Sequence, residues 1–449
     1  MPTFPDDFLW GVSTAAWQIE GSVAEGRGES IWDRFARRGL VNGGETGEPA
    51  ADHFRRWRED VALMTDLGLG DGRGAYRFSV AWPRVQPEGK GKANPSGLDF
   101  YDRLADALAE AGIRPMPCLY HWDLPQALEH RGGWTHRDIA HRFADYACRV
   151  AERLGDRVDT WFMLNEPSVH AWFGHLTGDH APGRTGTAAF LSALHNQNRA
   201  VAEAIRALRR EGDWRLGTIN AVVPFQPADD TASAAEAAEV LDAWWNGAFL
   251  DPLVTGRYPE RIAERLADPE SGVVVEDDLD RLAVGLDVLG VNHYHRGWAF
   301  PDRGAPLGVD FRAAPPGADP RRLTAMGWLI DETGLADALK RAQAAVGDKT
   351  PLIVTETGAA FEDRPDGEGR FRDARRVEFL ERYLDAAAGA IADGIRLEGF
   401  FAWSLLDNLE WAFGTSRRFG LVHVDFATGE RTPKDSFRWY RSAVRKERL

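Results

Sequence analysis

The chain has 449 residues, 44% hydrophobic and 27% charged, which is the make-up of a globular protein with a large core and excludes disordered and membrane-spanning classes. Its 54 Lys and Arg against 69 Asp and Glu give a net charge of -15, a sign that repels phosphate backbones and anionic lipid, so neither nucleic acid nor membrane is an expected partner. Two cysteines, Cys118 and Cys148, without Cys-x-x-Cys or metal-ligand spacing, and no signal-peptide or ~20-residue apolar segment, point to a reducing, cytoplasmic location with no metal site.

The first β-branched and aromatic run is FLWGVST (8–14), with Gln18 just beyond it. A glycine-rich stretch, GLGDGRGAY (68–76), then precedes the second run, AYRFSVAW (75–82), which carries Arg77. Phosphate-cradling glycine loops follow a strand and open a helix, whereas this one follows a helix and enters a strand, so a phosphate site is not expected there. Apolar residues three and four apart predict a helix over 99–111, before RPMPCLYHW (114–122) ends in His121 and Trp122. A second periodic stretch, 138–154, leads to TWFMLNE (160–166), which ends in Asn165 and Glu166. RLGTINAV (215–222) carries Asn220, and DVLGVNHY (287–294) carries Asn292 and Tyr294. The Gly-, Pro- and Asp-rich segment 302–321 is expected to be a loop inserted at the mouth of the sixth connection. PLIVTE (351–356) ends in Glu356, a helical stretch covers 376–393, and LEGFFAWSLL (397–406) brings Trp403, with Glu410 and Trp411 shortly after.

Eight strand-like runs alternating with amphipathic stretches predict an α/β chain folded as a single (β/α)8 barrel over residues 1–449, with long loops at the C-terminal face. In such a barrel all eight strand ends meet at one mouth, and residues from 18 to 411 become neighbours. Two of them are carboxylates placed directly after apolar strands, Glu166 and Glu356. A glycosidase needs such a pair, one carboxylic acid to protonate the leaving oxygen and one carboxylate to attack the anomeric carbon or activate water. Like charges buried together raise the pKa of one, while Arg77 and Tyr294 are placed to hold the other as the anion. Taken singly, each residue has a plainer reading: a capping or ion-paired Glu, a hydrogen-bonded His121, an Arg77 bracing the barrel, and Trp122, Trp403 and Trp411 as core. The 17 tryptophans fit either core filling or stacking on sugar rings. What favours the site is that the polar residues all fall at the same end of consecutive strands. No metal-ligand cluster, Gly-x-Ser-x-Gly elbow or strand-linked Gly-x-Gly-x-x-Gly is present, so no cofactor is implied.

From FLWGVSTAAWQIEG at 8–21, through YRFSVAWPRVQPEG, YHWDLPQAL, LNEPSVHAWFGH and IVTETG, to AWSLLDNLEWAFGTSRRFGLVHVDFATGERTPKDSFRWY, the chain resembles the family-one glycoside hydrolases along its whole length. The resemblance implies Glu166 as acid/base and Glu356 as nucleophile of a retaining β-glucosidase that also acts on β-fucosides and β-galactosides. It implies a glycone held by Gln18, His121, Asn165, Glu410 and Trp411 over Trp403, with Arg77 and Tyr294 beside the nucleophile. Trp328, Asn220 and Val169 match positions lining the aglycone side. Small β-linked oligosaccharides or glycosides are then the expected partners, and an acidic surface assigns no oligomeric state.

Glu410 can accept two sugar hydroxyls but repels a 6-phosphate. Relatives that cleave phosphorylated sugars lack that carboxylate and carry a Ser, Lys and Tyr cluster nearby, where this chain has Arg417, Arg418 and Phe419, so neutral sugars are expected over the alternative of 6-phospho-β-glycosides. A second alternative, a catalytically silent carbohydrate-binding protein on the same fold, is disfavoured because both carboxylates are present. The chain departs from the family pattern in having Thr357 in the usual Thr-Glu-Asn-Gly, in GWLIDETGL at 327–335 on the aglycone side, and in the GDGRG insertion, whose expected effect is on folding or oligomer contacts.

Overall fold

All eight apolar runs become strands of one closed parallel barrel in the computed structural model, which describes residues 3–266, 272–275 and 277–446. The remaining residues of the expected 1–449 unit lie outside the described residues. The strands are β1 (Leu9–Ser13), β2 (Gly74–Ser79), β3 (Arg114–Tyr120), β4 (Thr160–Asn165), β5 (Arg215–Ala221), β6 (Val288–Asn292), β7 (Leu352–Thr357) and β8 (Leu397–Trp403). Each pairs with its sequence neighbours, and β8 closes on β1 through the register Leu9 to Gly399 and Ser13 to Trp403.

Side chains alternate faces along a strand, so every second residue points into the barrel. One floor of the interior is filled by Leu9, Ala75, Met116, Cys118, Phe162, Ile219, Val288, Ile353 and Phe401, at least one from every strand. This apolar plug makes the barrel a packed core rather than a pore. Following the same phase upward leads to Ser13, Arg77, Asn292, Thr355 and Trp403, and there the chemistry begins.

A principal helix follows each strand: α1 (His53–Leu67), α2 (Pro95–Glu110), α3 (Ile139–Leu154), α4 (Thr187–Glu211), α5 (Ala248–Thr255), α6 (Glu332–Val346), α7 (Ala374–Ala392) and α8 (Asp435–Val444). In α3 the buried set is Ile139, Ala140, Phe143, Tyr146, Ala147, Val150, Ala151 and Leu154, the three-and-four spacing that lays one face on the barrel. Helix α2 starts four residues before the periodic stretch does, because Pro95 has the fixed φ of a first helical position and needs no donor there.

The glycine-rich stretch lies at the N-terminal end of the strands, as its order predicts. Gly68 ends α1 with a φ of 98°, and Gly74 opens β2 so close to Leu69 that a Cβ would lie 2.1 Å from its carbonyl oxygen. Segment 302–321 departs from the expected loop. Val309–Arg312 is a strand that pairs antiparallel with Gly297–Pro301, which in turn pairs with Phe225–Pro227 in a small three-stranded sheet. The reason is the half-buried aromatic Phe311, which packs against Phe225 and Trp245 at ring separations of 5.2 and 5.5 Å and gives the strand an apolar anchor. No helix among the described residues is long and apolar enough to cross a membrane. Cys118 and Cys148 are both free.

Candidate active site

Both carboxylates stand where the strand pairing is irregular. The register of β7 against β6 and β8 shifts after Val354, and that of β4 against β5 shifts after Phe162, so Glu356 and Glu166 emerge from bulged strand ends. A bulge re-aims the side chains beyond it. Glu166 is also held at φ 46° immediately before Pro167, in the left-handed region that costs a non-glycine residue about 1–3 kcal/mol. Trp122 and Trp411 at the same mouth have φ of 73° and 48°. Gly358 is required after Thr357, because a Cβ there would lie 1.9 Å from the Trp403 carbonyl oxygen.

Glu356 is buried, and its Oε1 receives a hydrogen bond from the Arg77 guanidinium while Tyr294 donates its hydroxyl to Oε2 at 2.7 Å. Burial raises its pKa, and the Arg77 charge followed by the Tyr294 hydrogen bond opposes that rise. Glu166 is also buried but among the described residues has no cation on its carboxylate; Asn292 Nδ2 donates to its Oε1 at 2.8 Å. Burial, reinforced by the charge of Glu356, pushes Glu166 up to about 8. The first proton taken up by the pair therefore belongs on Glu166, and the anion belongs on Glu356.

An amide and imidazole network fixes the polar atoms around them. Asn165 Oδ1 accepts from Arg77 Nη2 at 2.7 Å and from Asn292 Nδ2 at 3.0 Å, so its Nδ2 must be the donor to His121 Nε2 at 2.9 Å. His121 then carries its proton on Nδ1, which is buried without a protein partner and so is free to donate to a sugar hydroxyl. Burial, with the Arg77 charge, holds this imidazole well below its ordinary pKa, hence neutral. Gln18 Nε2 donates to Leu409 O at 2.7 Å and Asn408 Oδ1 at 2.9 Å and reaches Glu410 Oε2 at 3.4 Å, while its buried Oε1 is left without a protein partner among the described residues. Glu410 is half-buried and pushed up to about 8 by burial and by the charge of Glu356.

Aromatic rings line both sides. Trp411 stacks on Trp17 at 5.7 Å and 6°, meets Trp122 at 4.5 Å and His121 at 5.6 Å, and Trp403 lies 5.8 Å from His121. Across the mouth, Trp328 meets Tyr294 at 5.4 Å and Phe419 at 6.1 Å, and Phe419 meets Tyr294 at 6.1 Å. Rings flanking acceptors and donors suit a sugar, which offers hydroxyl edges and apolar C–H faces.

Of the expected site residues, only Asn220 and Val169 stand outside this network. Ile219 takes the inward phase of β5, and Asn220 is buried beside it at the strand end, its Oδ1 without a protein partner among the described residues. Val169 is half-buried on the short helix after Glu166. The Thr357 hydroxyl is buried without a partner, so it does not reproduce the hydrogen bonds of an amide. Arg418 is engaged with Asp407 and the Val424 carbonyl, and only Arg417 bears on Glu410.

Sequence reasoning missed Trp17, Asn408 and Thr355, although the first two lie within two residues of Gln18 and Glu410. It also missed the buried support of Gln18: Glu20 accepts from Tyr101 at 2.7 Å and from Arg84 at 2.8 Å and anchors the short helix Ala16–Ile19. Among the described residues, no group of three or more His, Cys, Asp or Glu is placed to hold a metal ion.

Comparison with known proteins gives a consistent result. The family model described as glycosyl hydrolase family 1 matches residues 1–449. A β-glucosidase A from Thermotoga maritima is 42% identical over 99% of this chain and 98% of its own length. A bifunctional β-D-glucosidase/β-D-fucosidase from Bifidobacterium breve is 42% identical, with 98% of each chain covered. Among solved structures, the β-glucosidase from Thermotoga maritima in complex with deoxynojirimycin superposes with a TM-score of 0.92 at 41% identity, covering 100% of both chains.

Proposed function

Because the chain belongs to glycosyl hydrolase family 1 and is a glycoside hydrolase on a (β/α)8 barrel, we propose that Glu166 is its general acid/base and Glu356 its nucleophile in the retaining hydrolysis of terminal non-reducing β-D-glucosyl residues. The observation that carries this reading is the unequal surroundings of the two buried carboxylates: Arg77 and Tyr294 on Glu356, and a lone amide donor on Glu166.

In the first step a Glu356 oxygen attacks the anomeric carbon, the bond from that carbon to the leaving oxygen breaks, and Glu166 gives its proton to that oxygen. Asn292 donates to Glu166 Oε1, so the proton is carried on Oε2. In the second step Glu166, now the anion, takes a proton from water as the water oxygen attacks the anomeric carbon and releases Glu356. Two inversions at one carbon retain the β configuration.

Gln18, His121, Asn165, Glu410 and Trp411 hold the glycone over Trp403, with Trp122 completing the aromatic wall and Asn292 serving the acid. Trp328, Phe419 and Asn220 border the aglycone. Glu410 with the free Gln18 Oε1 makes the far end of the glycone pocket an acceptor surface, which favours a neutral sugar over a 6-phosphate. β-Fucosides and β-galactosides are secondary substrates, in keeping with the dual name of the Bifidobacterium breve relative. The enzyme acts as one catalytic domain in the cytoplasm on short β-linked oligosaccharides such as those released from cellulose.

Initial rates on aryl β-glucoside, β-galactoside and 6-phospho-β-glucoside, with the product anomer followed by NMR, test this reading. Fast glucoside cleavage with the β anomer formed first is expected. Preference for the 6-phosphate would overturn the role of Glu410, and an α anomer formed first would overturn the roles of both carboxylates.

A further inference from the structure

The strand that delivers the nucleophile also carries a hydroxyl bound to the amide that serves the acid/base. Thr355, directly before Glu356, is fully buried and donates its Oγ1 proton to Asn292 Oδ1 at 2.7 Å. That side of the Asn292 amide must be the oxygen, because its Nδ2 has two acceptors already, Glu166 Oε1 at 2.8 Å and Asn165 Oδ1 at 3.0 Å. Asn165 is itself fixed by Arg77, so among the described residues only the Thr355 hydroxyl secures the far end of the Asn292 amide. Thr355 is held in turn by strand β1, whose Ser13 Oγ donates to the Thr355 carbonyl at 2.7 Å. No further room is left around it, since Gly290 passes so close that a Cβ there would lie 2.9 Å from Thr355 Oγ1.

We propose that Thr355 is a positioning residue for the acid/base: its hydroxyl locks the Asn292 amide with Nδ2 toward Glu166 Oε1, which assigns the transferable proton to Oε2 and keeps it aimed at the leaving oxygen. The inference rests on the reading of Glu166 as acid/base. A buried amide anchored at both ends holds its direction, whereas one that has lost the donor to its oxygen has an unmet acceptor and tilts to find another. Its donation to Glu166 then slackens, and a carboxylate that loses a hydrogen-bond donor binds its proton more tightly. The other groups facing Glu166 stay in place: Arg77 from β2, Glu356 from β7, Tyr294 after β6 and Glu410 after β8. Neutral His121 stands behind Asn165.

The test is the pH dependence of kcat and kcat/KM on an activated aryl β-glucoside for the unmodified enzyme, Thr355→Val, Thr355→Ser and Glu166→Ala. Thr355→Val, which keeps the volume and removes the donor, is expected to lower kcat about fivefold with KM within about twofold, and to move the alkaline limb of kcat/KM up by about half a unit. Thr355→Ser, which restores the donor, is expected to restore the limb and most of the rate. Thr355→Ala reads the same limb should the Val variant fold poorly. An alkaline limb unmoved in both Val and Ala variants, or a Ser variant as impaired as they are, would overturn the proposal. Glu166→Ala separates the role of Thr355 from that of the acid/base. Loss of the alkaline limb in that variant with no movement in Thr355→Val sinks the Thr355 role alone, and persistence of the limb in Glu166→Ala sinks the acid/base assignment and this inference with it.

Discussion

Tyr294 donates its hydroxyl to Glu356 Oε2 at 2.7 Å, on the carboxylate oxygen that Arg77 does not occupy. A donor on the anion stabilises it, so removing the donor raises the pKa of Glu356 further above its ordinary value. Tyr294→Phe is therefore predicted to move the acid limb of kcat/KM to higher pH and to lower kcat about tenfold. The pH profile checks the direction, and a shift to lower pH contradicts it.

Glu410 illustrates a conflict between stability and function. Its carboxyl is pushed up to about 8 from 4.5, chiefly by burial, so the folded state binds this proton more tightly than the unfolded chain does. A group of that kind destabilises the fold increasingly as pH rises from about 4.5 toward 8. Glu410→Gln removes the ionisation and is predicted to raise Tm by a few degrees above pH 7, with no gain at pH 4. It should at the same time lower kcat/KM on β-glucosides about a hundredfold, because an amide replaces the carboxyl that pairs with the sugar hydroxyls. Thermal denaturation at the two pH values, paired with kinetics, checks both signs.

Behind the turn that carries Glu410, fully buried Lys434 bridges Asp363 and Asp407, reaching Asp407 Oδ1 at 2.8 Å. Asp407 is held well below the usual carboxylate range, against its burial, by Lys434 first and then His423 and Arg418. Its contribution is present above the unfolded value near 3.8 and is lost as pH falls through the folded pKa. Lys434→Met leaves two buried carboxylates short of a partner and is predicted to cost about 3–5 kcal/mol, the usual effect of breaking a buried ion pair from one side. Because Asp407 and Asn408 adjoin the Gln18 and Glu410 sites, KM for glucosides should rise with it. Chemical denaturation and steady-state kinetics of the same preparation measure the two effects.

The eight strands are legible in the chain because each is a short apolar run buried on both faces, with a helical period between one run and the next. The site was legible for a related reason: a buried strand has no need to end in Asn165, Glu166 or Glu356, so polar residues at successive ends mark the mouth. What stayed hidden depends on side-chain direction. Thr355 looks like any β-branched strand residue until its hydroxyl is seen on Asn292. Segment 302–321 reads as a loop by composition, and only the packing of Phe311 on Phe225 and Trp245 shows why part of it pairs as a strand.

The assignment of Glu356 as nucleophile is tested most directly by treating the enzyme with an activated 2-deoxy-2-fluoro-β-glucoside and mapping the labelled peptide by mass spectrometry. The fluorine slows release of the glycosyl ester, so the first covalent product accumulates on whichever carboxylate attacked. Time-dependent inactivation with one sugar per chain attached to Glu356 is expected. A label on Glu166, or inactivation with no attached sugar, would contradict that assignment.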